Sequence, residues 1–239
     1  MHHFFIPPQD IQGRIAKISD LETIKQISRV LRLVSGEEIL LLDGDGLEYV
    51  SRIIKVNSRE CSAEILKRQM NMNEPELKIA IFQALIKKDN MEWVVQKGTE
   101  VGASVFVPVL AERSEKKGFN PERAQKILKE AAEQSHRGII PALSEPQDLS
   151  HILKAVATSD ISTMFLHTEG EPIKNFSSNK HLYALNIFVG PEGGWSEAEL
   201  EAVRLAIRSG APIEMVNLGS RVLRAETAGL LAAGIMLNR

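Results

Sequence analysis

The sequence predicts an α/β protein: a mostly parallel sheet with helices on both faces, preceded by a small β-barrel. Three observations carry that reading. Residues 1–72 are rich in strand-length apolar runs and contain the turn-forming run Asp43-Gly44-Asp45-Gly46. From residue 77 onward, apolar strands alternate with helix-length stretches, the pattern of a parallel sheet covered on both faces. Two of the later strands empty into glycine-bearing turns, one at Gly190 and one at Gly219. In open α/β sheets, ligands bind at strand ends of this kind.

In the first region, 38–42 and 48–54 read as strands flanking Asp43 to Gly46, whose Asp-Gly pairs supply the positive φ angles of a hairpin turn. A likeness of that run to a calcium loop fails for want of downstream acidic ligands. Residues 59–66 form another strand, and a helix is expected over 21–33 with Val30 and Leu31 on its inner face. The polar, proline-bearing run 69–75 is the best linker, dividing the chain into 1–72 and 73–239.

Beyond it, strands are expected at 77–84, 104–110, 161–167, 185–189 and 213–218, and helices at 90–101, 121–136, 196–208 and 225–238. Asn120 caps the second helix and Pro121 occupies its first position. Ser196 and Glu199 have the spacing of a capping box, which fixes the start of the third. The last helix is nearly all small or aliphatic, so it is either central in its domain or packed on a partner subunit.

Of the 239 residues, 44% are hydrophobic and 25% charged, and the net charge is -2. No global basic field exists, so contact with a nucleic acid has to come from local Lys/Arg clusters. The single cysteine, Cys61, excludes an intramolecular disulfide and a thiolate metal site. The histidines show no metal spacing, no Ser/His/Asp arrangement stands out, and no metal is expected. The N-terminal residues lack the apolar run of a signal peptide, and the longest apolar stretch, 225–237, is too short to span a bilayer. A cytoplasmic protein without membrane contact is expected.

Neither familiar nucleotide fingerprint is present: no Gly-x-Gly-x-x-Gly opens a helix after the first strand, and no Lys-Ser/Thr follows the glycines. The chemistry-bearing segments are instead Gly190-Pro191-Glu192-Gly193-Gly194 and Leu218-Gly219-Ser220-Arg221-Val222-Leu223-Arg224-Ala225-Glu226-Thr227. Gly193 and Gly194 allow close backbone approach to a ligand near a helix N-terminus, although for a glycine pair alone a tight turn before a helix is the readier explanation. Arg221 and Arg224 suit an anion, although pairing with Glu192 or Glu226 also explains them. His167, after Leu166 at a strand end, is placed to line a pocket. Arg113, Lys116 and Lys117 follow another strand end, where an RNA backbone could be met, although a solvated loop explains them as well.

Taken with Lys88 to Gly102, Glu112-Arg113-Ser114, and Glu130 to Ser135 with Arg137, these segments resemble the RsmE family, which methylates N3 of a uridine in 16S ribosomal RNA of the small ribosomal subunit. Phe4-Phe5, Val30-Leu31-Arg32 and Gly36-Glu37-Glu38 match as well, so the resemblance runs nearly the whole length. Departures are His136 and Ser220, where the family pattern leads one to expect Gly and Pro, and the lack of a histidine at 26–28. The resemblance implies a SPOUT-type domain with a C-terminal trefoil knot, a PUA-like N-terminal barrel, S-adenosylmethionine as methyl donor and a homodimer. The implied donor site comprises Leu166, His167, Gly190, Pro191, Glu192, Gly193, Leu218, Gly219, Val222, Leu223, Arg224 and Thr227. Arg221, Arg224, Glu192 and Glu226 are the candidates for catalysis, and Arg32, Arg113, Lys116, Lys117 and Arg137 for RNA contact. Two alternatives stay open: a knotted enzyme acting on another rRNA or tRNA position, and a non-catalytic RNA-binding ribosome-assembly protein.

Overall fold

The computed structural model describes residues 1–115, 119–176 and 182–238. The chain divides into two units, Met1–Glu74 with Ala132–Ile140, and Pro75–Ala131 with Pro141–Arg239.

The first unit is built on a six-stranded sheet. Its elements are β1 (His2–Phe5), β2 (Ile11–Gln12), β3 (Ile15–Ile18), α1 (Leu21–Lys25), β4 (Glu38–Leu42), β5 (Leu47–Val56) and β6 (Cys61–Met70). The strand order is β1-β4-β5-β6-β3-β2. The β4–β5 hairpin turns where the sequence predicts: Gly44 and Gly46 take φ of 85° and 95°, and Asp43 Oδ1 accepts from the backbone N–H groups of Asp45 and Leu47. Phe4, Ile24, Ile27, Ile39, Leu41 and Ile53 fill the core, and Cys61 lies within it, its thiol pushed up to about 11 by burial.

The expected helix over 21–33 forms differently. Asp20 caps α1 through the N–H groups of Glu22 and Thr23, and the chain then widens into a π-helical turn, Gln26–Val30. The shift puts Ile24 and Ile27 inside and leaves Val30 74% exposed, so Val30 is not an inner-face residue. Arg32 follows at φ 55°, exposed. His136 also takes positive φ, 61°, the conformation that glycine adopts most easily. Its ring stacks on His3 at 4.0 Å, and burial together with the His136 charge lowers His3 to about 4. Arg137, expected on an RNA surface, is buried at 4% side-chain exposure and paired with Glu74 at 2.7 Å.

The second unit holds a wholly parallel seven-stranded sheet. Its elements are β7 (Lys78–Ala84), α2 (Lys88–Val101), β8 (Val105–Leu110), α3 (Pro121–Gln134, whose last residues group with the first unit), β9 (Ala142–Leu143), β10 (Gln147–Asp148), α4 (Leu149–Ala157), β11 (Ser162–Pro172), β12 (Ala184–Val189), α5 (Glu197–Arg208), β13 (Ile213–Asn217) and α6 (Ala225–Leu237). The order is β10-β8-β7-β12-β11-β13, with β9 also on β8. The sequence reading omits α4, whose Leu149, Ile152, Leu153 and Val156 complete one face of the core with Phe165, Phe188 and Trp195. Gly229 of α6 serves packing within the chain: a Cβ there would stand 2.9 Å from the Val189 side chain. No helix of the described residues is long and apolar enough to cross a membrane.

Candidate methyl-donor site

Four strands of the second sheet, β7, β12, β11 and β13, run side by side and parallel, so their C-terminal ends open on one side. The chain direction splits there, β8 lying on one side of β7 and the later strands on the other, the switch-point arrangement at which open α/β sheets bind ligands. A cleft of about 680 Å³ sits at these ends, within the size range of small-molecule sites.

The wall after β11 is made by a break in register. Val216 of β13 pairs with both Leu166 and Glu171, so the intervening residues bulge out of the sheet and carry His167 and Thr168 to the cleft. Gly170 makes that possible, because a Cβ there would lie inside the backbone of Met215 and Val216. Its carbonyl accepts from the Asn217 side-chain amide.

The wall after β12 is clamped from several directions. Lys87 N–H donates to Glu192 at 3.3 Å. Arg113 Nη1 donates to the carbonyls of Gly193 and Trp195 at 3.0 and 3.4 Å. The capping box predicted at Ser196 is present, and the same Glu199 carboxylate accepts from Glu112 N–H at 2.8 Å. Trp195 is buried and packs on Phe165 at 4.8 Å between ring centres. Packing requires Gly190, and backbone conformation Gly194. A Cβ on Gly190 would meet the Trp195 ring at 3.0 Å, and one on Gly193 would touch Arg113 at 3.4 Å; Gly194 holds φ 69°.

The wall after β13 is looser. Gly219 takes φ 114° and its N–H donates to Asn217 Oδ1 at 3.0 Å. Arg221, Val222 and Arg224 are exposed, with Val222 at 85%. Arg224 is the N-cap of α6 and lies 3.7 Å from Glu226 Oε1, a contact that counts for little with the arginine 85% exposed. Glu226 itself is buried, and its Oε2 has no hydrogen-bond partner among the described residues. Neither has the buried Trp195 Nε1. An unpaired buried polar group costs about 1–3 kcal/mol, and more when charged; both atoms are withdrawn from the surface of the cleft as well as from protein partners.

The cleft therefore brings together Leu166, His167, Gly190, Pro191, Glu192, Leu218, Gly219, Arg221, Val222, Leu223, Arg224 and Glu226. Gly193 and Thr227, also expected to touch the donor, do not line it: Gly193 faces Arg113, and Thr227 is exposed on α6. Arg113 spends its guanidinium on the loop carbonyls. Lys116 and Lys117 lie outside the described residues. Lining residues not singled out from the sequence include Lys87, Asn90, Trp195 and Asn217. All four lie within or just beyond segments already read as strand ends or motifs, which was the available signal. No cluster of His, Cys, Asp and Glu fit to hold a metal occurs among the described residues.

Residues 73–237 match the family model of an RNA methyltransferase domain, and residues 27–66 that of an RNA methyltransferase PUA domain. The chain is 34% identical over 224 residues to ribosomal RNA small subunit methyltransferase E of Bacillus subtilis, covering 88% of this chain and 85% of the relative. It is 33% identical to the Synechocystis protein of the same name over 86% of this chain and 67% of that one. Among solved structures, ribosomal RNA small subunit methyltransferase E from Neisseria gonorrhoeae bound to S-adenosyl methionine superposes with a TM-score of 0.88 at 28% identity, covering 100% of this chain and 97% of the other. A methyltransferase from Legionella pneumophila in complex with the same cofactor gives 0.85 at 27% identity, covering 99% and 96%.

Proposed function

The chain belongs to the ribosomal RNA small subunit methyltransferase E family, and from that premise we propose that it transfers a methyl group from S-adenosylmethionine to N3 of a uridine in 16S ribosomal RNA. The observation that carries the reading in this molecule is the cleft at the β7, β11, β12 and β13 strand ends, which the two motif segments after β12 and β13 line together. Leu166, His167, Gly190, Pro191, Leu218, Gly219, Val222 and Leu223 would hold the donor. When bound, it supplies an electrophilic methyl group on a sulfonium.

The protein's own work is positioning and charge. Uridine N3 bears a proton at neutral pH, so its lone pair becomes available only as that proton leaves. Arg221 and Arg224, which line the cleft and are exposed, would stabilise negative charge developing on a uracil oxygen. Glu192, exposed beside them and held by Lys87 N–H, is the candidate to take the proton. The clamp on residues 190–196 fixes one wall before any ligand arrives, which is what positioning requires. N3 lies on the Watson–Crick edge, so the target base must be unpaired and turned out. RNA contact then falls to the exposed Arg32 of the first unit and to Lys87, Arg221 and Arg224 at the rim. A cytoplasmic homodimer acting on the small ribosomal subunit, with a knotted C-terminal segment, completes the reading by family membership.

The test is methylation in vitro with labelled donor, on naked 16S RNA and on isolated small subunits, followed by mass analysis of nucleosides. The expected product is 3-methyluridine. Label in another nucleoside would move the target. Absence of donor binding would instead favour a non-catalytic assembly role.

A further inference from the structure

The cleft carries its charge unevenly. Lys87, Glu192, Arg221 and Arg224 all line it and all are exposed. Glu226 is the one buried charge in the lining, at 9% exposure. Charges in contact with water are screened, whereas one withdrawn from water acts more strongly on whatever lies beside it. Glu226 has spare capacity to act: Oε1 has only the long, exposed contact to Arg224, and Oε2 is buried without a hydrogen-bond partner among the described residues. It occupies the first turn of α6, where the helix dipole favours a negative side chain. The unpartnered indole N–H of Trp195 is neutral and offers no such discrimination between charged and uncharged ligands.

We infer that Glu226 is the residue by which this cleft distinguishes the cationic methyl donor from its spent product. The inference rests on the donor reading above. Transfer of the methyl group to the nucleophilic nitrogen breaks the methyl–sulfur bond and leaves its electron pair on sulfur, so a sulfonium becomes a neutral thioether. The rest of the molecule is unchanged. A buried carboxylate therefore attracts the donor more than the product, and that attraction falls away when the reaction is done, which favours product release. The four exposed charges are too well hydrated to make the same distinction.

Titration calorimetry on the full-length protein tests this, with S-adenosylmethionine, S-adenosylhomocysteine and sinefungin as probes; sinefungin bears an ammonium where the donor has its methylated sulfur. The wild type should bind S-adenosylmethionine and sinefungin more tightly than S-adenosylhomocysteine. Glu226→Gln should weaken both cationic ligands by roughly tenfold, as for a charge–charge attraction partly screened by water, and leave S-adenosylhomocysteine nearly unchanged. Parallel loss for all three, or no change, overturns the inference. So does a wild type that binds sinefungin no better than S-adenosylhomocysteine, a result that needs no variant to fold. A wild type that binds none of the three ligands would sink the donor reading itself, which is a separate outcome.

Discussion

The two glycine-bearing loops that face each other in the cleft are built on opposite principles. Residues 190–196 are held by Lys87, Glu112 and Arg113 and closed by the buried Trp195. Among the described residues, 218–224 make one side-chain hydrogen bond, from Gly219 N–H to Asn217 Oδ1, and Arg221, Val222 and Arg224 are exposed. The first loop is finished by the protein alone. The second presents groups whose partners have to come from elsewhere. A cleft of this kind has one preorganised wall to set the donor's position and one open wall to meet a second substrate, which is the division of labour that transfer between two bound molecules requires.

The comparison is broken most severely at Trp195. Replacing this buried side chain with alanine removes its packing on Phe165 and should cost about 3–5 kcal/mol by urea denaturation. A loss under about 1 kcal/mol, within the range of ordinary single substitutions, would show that the first loop is not braced by packing. The next effect belongs to the second loop. Gly219→Ala forces a side chain onto φ 114° and should cost of order 1–3 kcal/mol, whereas Gly193→Ala only touches Arg113 at ordinary contact distance and should be nearly silent. Thermal unfolding of both variants decides it, and equal effects would mean that the two glycines serve alike.

Arg113→Ala sharpens the contrast further. It deletes the donor to the Gly193 and Trp195 carbonyls, so it should cost about 1 kcal/mol of stability. It should also weaken donor binding, as the wall loses its fixed shape, while turnover at saturating donor stays near normal. Arg113→Lys should restore part of the binding. A variant with normal donor affinity but weakened RNA binding would return Arg113 to the RNA-facing role that its sequence position suggests.

Much of this was legible in the chain. Alternating strands and helices, the Ser196/Glu199 cap and the Asp-Gly hairpin follow from local chemistry, and local chemistry is what a sequence displays. The cleft was legible as two strand-end turns. What their glycines are for was not: Gly190 makes room for the Trp195 ring, a contact set by how the loop folds back on itself. Arg137 misled because nothing near it in sequence announces Glu74. The bulge at 167–170 is a matter of strand register, which single-strand patterns do not encode. His136 stood out as an unexpected residue where glycine fits, and its positive φ gives the physical ground for that surprise.

The smallest expected effect on stability, and the most telling for the second loop, is at Val222. The side chain is 85% exposed at the cleft wall and buries almost nothing in the protein, so Val222→Ala should change unfolding free energy by no more than about 0.5 kcal/mol. Its methyl groups acquire a role only when a ligand covers them. Removing both should then cost about 1.6 kcal/mol of donor binding, at about 0.8 kcal/mol for each buried methylene-sized group, or roughly a fifteenfold weaker dissociation constant by calorimetry. Unchanged stability with weakened binding marks a wall completed by its ligand. Lost stability with unchanged binding would place Val222 with the self-sufficient wall opposite, and the distinction between the loops would go with it.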